Sequence, residues 1–463
     1  MSHTTSPSGE KGWDQDLRVV CRVHVVLMIG SVLLMGGTGH AQQAERSTWL
    51  QPPHLVGPPP DYLLGLVRPP LARIRMPEPP AERREPWHPH HAPRPPDYSE
   101  TIRSNVTATI PIPPPPHGRP PAAVRGLYVN GWIFGSSRFY DLLALADSTE
   151  INALVIDVKD ATGFLTYRSS VPTAEYIGAN GVLRIADPRL RLAQLEARGI
   201  HAIARIVVAR DPLLARRKPA WAIHDSAGGL WHDGLSEPWV DAYNDSVWIY
   251  AAEIAAEAVL MGFREIQFDY VRFPDEPPHR LDRTVYPARR PGESKRDAIR
   301  RNVELLQRRV AQMGVPFTLD VFGLTASARG DLGIGQVWED LAASADVLLP
   351  MVYPSHYARG FFGIRNPNTE PYTVVRRALE DAIARSRGLA RPARIRPYLQ
   401  AFTIYRVRYS ALEVRAQIQA VEDLGLTDWV LWNARGVYPP AALRPSARPP
   451  IRPSETATPD QGR

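Results

Sequence analysis

The alternation of short apolar strands with helices over residues 124–440 is the feature that most constrains the fold of this chain. Apolar residues at helical spacing separate the strands, and helix starts are marked by caps such as Asp187-Pro188 and the capping box at residues 410–413. The expected strands are 124–130, 152–158, 201–208, 265–271, 317–322, 346–352, 397–402 and 428–432. Eight strands with intervening helices over about 300 residues predict an α/β fold, a (β/α)8 TIM barrel. A doubly wound open sheet is the alternative, but no glycine-rich dinucleotide loop follows the first strand.

The first 41 residues have the features of a secretory signal peptide. Arg18 and Arg22 precede an apolar run at residues 23–35, and small residues follow it. The run is shorter than the ~20 residues of a typical membrane span, so an uncleaved N-terminal anchor is the less favoured interpretation. We therefore expect residues 1–41 to be removed and the protein to be exported, either periplasmic or secreted. Cys21 is the only cysteine, so we expect no disulfide or thiol chemistry in the mature chain.

Composition divides the rest of the chain into three parts. Residues 42–122 are rich in Pro, Arg and His, which predicts a low-complexity linker that holds the domain near an envelope or cell wall. The folded domain is expected over residues 123–440 and a disordered tail over 441–463. The formal net charge is +7, but the basic residues are spread along the chain, and we therefore expect no nucleic-acid partner. We expect a monomer.

Three aspartates are the candidate catalytic residues. In the strand at 265–271, Gln267 and Asp269 share one face, and Ile266, Phe268 and Tyr270 share the other, which helices must cover. Gln267 and Asp269 should therefore point into the barrel, near the strand ends where barrel active sites lie. Asp320 is expected beside Asp269 on the next strand, about 4.8 Å away. Asp157 on the second strand is the reserve candidate, and the sequence does not assign the roles of acid and base or nucleophile.

Aromatic and polar residues near most of the predicted strand ends suit a sugar ring and its hydroxyl groups. Lys159 is expected either to pair with Asp157 or Asp160 or to bind substrate, and Arg205 is expected to neutralise the carboxylates. An ion pair of Asp269 with Arg272 or another inner arginine is the structural alternative to catalysis. Since no second positioned histidine accompanies His356, we expect no metal and no other cofactor. The predicted substrate-binding residues are Tyr128, Asn130, Lys159, Asp160, Arg205, Gln267, Arg272, Tyr353, His356, Gln400, Trp432 and Asn433.

Several strings resemble a known bacterial family. They are residues 153–160, 203–207, 265–274, 320–323 and 351–357, of which Phe-Asp-Tyr-Val-Arg-Phe-Pro at 268–274 is the most specific. Together they are similar to the "putative glycosyl hydrolase domain" family, which began as a domain of unknown function and belongs to the TIM-barrel glycosidases. The resemblance runs from about Val124 to Pro440. It implies a barrel that acts on a polysaccharide, with the acidic residues of the family at Asp269 and, less specifically, Asp320 and Asp157.

These observations predict a glycoside hydrolase that cleaves an exopolysaccharide or a cell-envelope glycan with paired carboxylates. A non-catalytic carbohydrate-binding or envelope-associated barrel is the alternative, and a metal-dependent deacetylase is a third interpretation. The substitution Asp269→Asn separates the first two, because an enzyme should lose turnover and a binder should change its affinity only modestly.

Overall fold

A closed parallel barrel forms the core of the protein. The computed structural model describes residues 120–447. Neighbouring strands pair in chain order, β8 pairs with β1, and β6 also pairs with β7, which completes the circle. This arrangement confirms the predicted (β/α)8 TIM barrel and excludes an open sheet. The strands are β1 (Arg125–Val129), β2 (Ala153–Lys159), β3 (His201–Val207), β4 (Glu265–Asp269), β5 (Phe317–Phe322), β6 (Val347–Met351), β7 (Tyr398–Gln400) and β8 (Trp429–Trp432).

Helices follow the first seven strands and cover the outside of the barrel. In the described part of the chain, β8 is followed only by a 3-10 turn at Pro440–Ala442. Ala442 and Leu443 are buried and Pro445 bridges to Thr149, so the packed chain runs beyond residue 440. The helices are α1 (Arg138–Ser148), α2 (Pro188–Glu196), α3 (Asp245–Met261), α4 (Lys295–Ala311), α5 (Trp338–Ala342), α6 (Pro371–Ser386) and α7 (Ala411–Asp423).

The predicted signal peptide, nearly all of the predicted linker and most of the predicted tail lie outside the described residues. Within residues 120–447, none of the helices combines the length and the hydropathy that crossing a membrane requires.

The strands are buried on both faces, so charged side chains inside the barrel need partners there. At the N-terminal ends, Arg396 Nη1 lies 2.5 Å from Glu265 Oε1, and His201 Nε2 lies 3.0 Å from Glu265 Oε2. Burial favours the neutral acid, but Arg396 and His201 oppose it and lower the pKa of Glu265 to about 2. Asp428 lies 3.6 Å from Arg396 Nε. These four residues form a buried ionic network, which we call the basal cluster.

Long insertions after β3 and β4 lie on the C-terminal side of the barrel. They meet in a short antiparallel ribbon between His224–Asp225 and Thr284–Val285. Trp231 and Trp239 belong to the first insertion and are buried. These contacts make the insertions a packed cover beside the ends of β3 and β4.

Candidate active site

Three aspartates from separate strands meet at one arginine inside the barrel. Arg205 on β3 places Nη1 2.5 Å from Asp157 Oδ1 and Nη2 2.5 Å from Asp269 Oδ2. Its Nε lies 3.1 Å from Asp269 Oδ2 and 3.7 Å from Asp320 Oδ2. The strands β2, β3, β4 and β5 are consecutive neighbours, and Asp157 is in register with Arg205. The predicted convergence of Asp157, Asp269 and Asp320 is therefore present, and Arg205 lies where a neutralising arginine was expected.

Burial makes this group of charges chemically unusual. The three carboxyl groups are at most 3% exposed and share one guanidinium. Burial and the charge of Asp269 raise the pKa of Asp320 well above its ordinary value. Burial also raises the pKa of Asp157, although Arg205 and the Tyr128 hydroxyl oppose the change. Burial disfavours the charge of Arg205, but the neighbouring carboxylates hold its pKa well above its ordinary value. The arrangement therefore favours a protonated carboxyl at Asp320.

Hydrogen bonds fix the two candidate catalytic carboxyls differently. Gln267 Nε2 donates to Asp320 Oδ2 at 2.9 Å, which leaves Asp320 Oδ1 buried with no hydrogen-bond partner in residues 120–447. Asp269 Oδ1 accepts from the backbone N–H of Tyr270 at 2.5 Å. Tyr270 has a positive φ of 54°, a strained conformation for a non-glycine residue. The strained turn after β4 therefore supplies a donor to the Asp269 carboxylate.

Tyr398 is a site residue that the sequence interpretation did not include. Its hydroxyl accepts from Gln267 Nε2 at 2.7 Å, so it supports the side chain that contacts Asp320. The signal was available, because Tyr398 lies two residues before Gln400 on the same strand and therefore on the same face.

A group of aromatic side chains, which we call the aromatic wall, adjoins the carboxylates at Tyr128. Tyr128 and Trp432 stack with ring centroids 5.4 Å apart, and Tyr353 lies 5.9 Å from Trp432. The His356 ring is 5.0 Å from that of Tyr353. The Tyr128 hydroxyl donates to Asp157 Oδ2 at 2.6 Å, which joins the wall to the carboxylates. Phe402, two residues after β7, completes the wall through ring contacts with Tyr353, His356 and Trp432.

Lys159 is not part of this site, and its expected pairing with Asp157 or Asp160 is wrong. A register irregularity between Asp157 and Lys159 aligns Lys159 with Ile206 instead of with the next inward position. Its Nζ lies 2.6 Å from Asp211 and 5.6 Å from the Tyr250 ring of α3. A β-bulge changes which face a side chain occupies. Lys159 therefore forms a buried ion pair on the helix side of β2.

Asp160 and Gln400 are occupied by structural contacts. Asp160 pairs with Arg184 at 2.8 Å and accepts from the N–H of Thr162 at 2.9 Å. Gln400 Oε1 accepts from the backbone N–H of Ser355 at 3.1 Å. Its Nε2 donates to the Phe402 carbonyl and the Asn368 side chain. The structure therefore shows these two predicted substrate-binding residues shaping loops.

Asn130 and Asn433 also support the backbone at the C-terminal ends of β1 and β8. Asn130 Oδ1 caps the short helix Gly131–Gly135, and its Nδ2 donates to the Ala434 carbonyl at 2.8 Å. Asn433 Nδ2 donates to the carbonyls of Ala401 and Val437 at 2.6 and 2.8 Å. Both amides therefore hold loops together.

Arg272 lies at the ends of β4 and β5 without contacting Asp269. Its guanidinium carbon lies 4.7, 5.3 and 4.5 Å from the ring centroids of Tyr270, Trp239 and Phe322. Its Nη1 donates to the carbonyl of Phe273 at 3.0 Å. The inner arginine that pairs with Asp269 is therefore Arg205, and Arg272 has a separate environment. Among residues 120–447, no three His, Cys, Asp or Glu side chains are arranged to hold a metal ion.

Two solved structures illustrate what this chain is similar to. A hypothetical protein from Ruminiclostridium thermocellum ATCC 27405 is 36% identical over 40% of this chain and 92% of its own, with a TM-score of 0.36. The PgaB (BpsB) glycoside hydrolase domain from Bordetella bronchiseptica is 14% identical over 70% of this chain and 99% of its own, with a TM-score of 0.51. The second similarity shows a shared fold. No match was found among curated proteins.

A family model provides the assignment. The model described as "Putative glycosyl hydrolase domain" matches residues 126–438, which is more than half of the chain and nearly the whole barrel with its active-site strands. This protein therefore belongs to that glycosyl hydrolase family.

Proposed function

We propose that this protein hydrolyses glycosidic bonds of a polysaccharide at the C-terminal ends of its barrel strands. The observation that carries the proposal is that three buried carboxyls, Asp157, Asp269 and Asp320, share the single guanidinium of Arg205. An ionised carboxylate without compensation is costly in such a site, so protons and charges divide unequally among the three. Glycoside hydrolysis requires such a division, with one protonated and one ionised carboxyl.

We assign the general acid to Asp320 and the ionised carboxylate to Asp269. Asp320 has the raised pKa that an acid needs, and its Oδ2 is occupied by Gln267 Nε2, so the proton belongs on the unpartnered Oδ1. Asp269 accepts from Arg205 and from the Tyr270 N–H, and both donors stabilise its anion. In this scheme Asp320 protonates the leaving oxygen, and Asp269 attacks the anomeric carbon or activates water. Asp157 positions Arg205.

The experiment is release of reducing ends from a panel of bacterial exopolysaccharides and envelope glycans. Asp269→Asn and Asp320→Asn should each lower turnover by roughly 10²–10⁴-fold, because each removes a group needed in the transition state. Asp282→Asn is the matched control, since Asp282 is an exposed residue with no assigned role. Wild-type turnover in both active-site variants, with their folding verified by circular dichroism, would refute the proposal.

A second candidate, a non-catalytic carbohydrate-binding barrel, is favoured by the ion pairs themselves. Arg205 contacts Asp157 and Asp269 at 2.5 Å, as in a structural network that only stabilises the barrel interior. A binder would retain glycan without releasing reducing ends, and Asp269→Asn would change its affinity modestly. An enzyme variant would keep binding while losing turnover.

We also propose that the protein acts outside the cytoplasm, near the cell envelope. The basic residues and apolar run before residue 41 and the proline-rich stretch after it support this location. N-terminal sequencing of the protein from periplasmic and secreted fractions should give a first residue close to Gln42. An intact N-terminus in the membrane fraction would instead support the uncleaved anchor.

A further inference from the structure

The guanidinium of Arg272 is a buried cation without a carboxylate partner in the part of the chain that the structure describes. The residue is 4% exposed, and no carboxylate in residues 120–447 lies within 4.0 Å of its nitrogens. Its contacts with described groups are one hydrogen bond to the Phe273 carbonyl and three aromatic rings. Burying a charge normally requires an ion pair, and cation–π contacts replace only part of the lost hydration. The described part of the fold, residues 120–447, therefore holds this cation without supplying a counter-ion.

The free edge of the guanidinium reaches solvent. Nε and Nη2 donate to no described protein group, yet they are absent from the buried, unsatisfied atoms of the structure. Several other arginines of the described region, including Arg184 and Arg210, do have buried nitrogens without a hydrogen-bond partner. The rings of Tyr270, Trp239 and Phe322 thus hold the planar group while some of its N–H donors remain accessible. A planar guanidinium suits bidentate binding of an oxyanion.

Arg272 lies close in the fold to the proposed active site. Arg272 follows Asp269 by three residues at the end of β4, and Phe322 beneath it lies two residues after Asp320 on β5. A substituent that reaches Arg272 would therefore belong to a sugar bound near the carboxylates. Arg205 offsets only one carboxylate charge of the site, so without a further cation an acidic glycan would be repelled by the negative charge that remains.

We propose that Arg272 binds an oxyanion on the glycan, a carboxylate or a phosphate, so that the substrate is an anionic polysaccharide. This inference rests on the proposed function, because it places the anion on the sugar chain that the carboxylates cleave. Arg272 then determines specificity through binding and takes no part in proton transfer.

The test measures binding by isothermal titration calorimetry in an Asp320→Asn background, in which turnover of glycans is strongly reduced. The probes are a hexuronic-acid disaccharide, its carboxyl-reduced counterpart and a hexose phosphate, which separates carboxylate from phosphate as the source of the anion. At least one anionic probe should bind about tenfold or more tightly than the reduced disaccharide. Adding Arg272→Gln should remove that preference, and Arg272→Lys should restore only part of it because the bidentate fork is lost.

The control is Arg283→Gln, which should leave the preference unchanged, since Arg283 is exposed and pairs with Asp225 next to the ribbon. Thermal melting of every variant verifies folding. Equal affinity for the anionic and reduced probes, no binding of either anion, or a preference that survives Arg272→Gln would overturn the inference. Those results would leave the hydrolase proposal intact if neutral glycans are cleaved. Anion binding that depends on Arg272 without cleavage of any glycan would instead support the subsite and refute the hydrolase.

Discussion

At the scale of single residues, the site is organised by one arginine. Arg205 can contact Asp157 and Asp269 together because its guanidinium is planar and offers donors on several edges. A lysine ammonium is a point charge and would not reproduce both contacts at the same time. Because three carboxyl groups share one guanidinium, a proton on one of them is favourable. Burial and the adjacent charge of Asp269 raise the pKa of Asp320, so Asp320 is the favoured place for that proton.

The pH dependence of activity should report the ionisation of Asp320. A general acid acts while it is protonated, so kcat/KM should fall as the pH rises through the Asp320 pKa. Because that pKa is raised, the fall should occur well above the ordinary range for an aspartate. The measurement is a pH–rate profile on a cleaved glycan and on an aryl glycoside with an acidic phenol as leaving group.

The fall in kcat/KM at high pH, which is the basic limb of the profile, should be absent in Asp320→Asn. The variant should retain much more activity on the aryl glycoside than on the glycan, because an acidic phenol departs without protonation. A basic limb that persists unchanged in Asp320→Asn would assign the acid to another residue.

At the scale of elements, the bulge in β2 places the carboxylate of Asp157 and the ammonium of Lys159 on opposite faces of the strand. Asp157 faces Arg205 within the barrel, while Lys159, two residues later, pairs with Asp211 on the outside. A regular strand would have placed both side chains on the same face. Gly163 adjoins this outer pair, because a Cβ at that position would lie 2.2 Å from Asp211 Oδ1, and its φ is +87°. The loop after β2 is therefore built around the Lys159–Asp211 pair.

Breaking the Lys159–Asp211 pair should destabilise the protein. Lys159→Met leaves the Asp211 carboxylate buried without its cation, and such truncations cost about 3–5 kcal/mol. Urea unfolding measures the change in the free energy of unfolding. The double variant Lys159→Met/Asp211→Asn should recover part of the loss, since no unpaired charge remains. A single variant as stable as the wild type would show that Asp211 is readily neutralised or hydrated.

Strand β4 provides a matched pair of substitutions on one face. Asp269→Asn at its C-terminal end should lower turnover by roughly 10²–10⁴-fold with a small change in Tm, because Arg205 keeps its ion pair with Asp157 and the excess of buried carboxylates is reduced. Glu265→Gln at its N-terminal end should lower Tm, because it weakens the pairs with Arg396 and His201, while kcat and KM stay near the wild-type values. Thermal melting and initial rates on both variants test this division. Loss of turnover in Glu265→Gln at a temperature where it is folded would contradict the division.

At the scale of the whole molecule, the two ends of the barrel contain ionic networks of different composition. In the basal cluster, Arg396 pairs with Glu265 and Asp428, and His201 Nε2 lies within hydrogen-bond distance of Glu265, so the buried acids have partners there. The site at the C-terminal ends has more carboxyls than cations, and it has unpartnered polar atoms such as Asp320 Oδ1. Barrel enzymes use the C-terminal face for chemistry and the opposite face for stability.

The basal cluster predicts a specific loss of stability in acid. The pKa of Glu265 is about 2 in the folded protein against an ordinary value of 4.5. Its contribution to the free energy of unfolding is therefore fully present above about pH 4.5 and disappears as the pH falls towards 2. The difference corresponds to about 3 kcal/mol. Urea unfolding between pH 2 and pH 6 should show this loss in the wild type and a smaller one in Glu265→Gln; identical pH dependences would contradict it.

The sequence predicted those features that depend on short stretches of chain. The strands, the helix caps and the inward direction of Gln267 and Asp269 follow from periodicity within ten residues or fewer. The eightfold repetition of these segments was sufficient to predict the barrel, and consecutive strands brought Asp157, Asp269 and Asp320 together. The string at residues 268–274 pointed to the family that the model over residues 126–438 assigns.

The tertiary structure alone decided which side chains meet. Arg205 joins Asp157 across 48 residues of sequence, and Gln267 meets Tyr398 across 131. The bulge that turns Lys159 towards Asp211 has no signature in local periodicity. Which side chains form these hydrogen bonds and ion pairs depends on strand register and on closure of the barrel. Both are set by the packing of the entire domain. The sequence by itself therefore determined the fold and the identity of the carboxylates. The packed barrel determined their partners, the raised pKa of Asp320 and the position of Arg272, which has no carboxylate partner within residues 120–447.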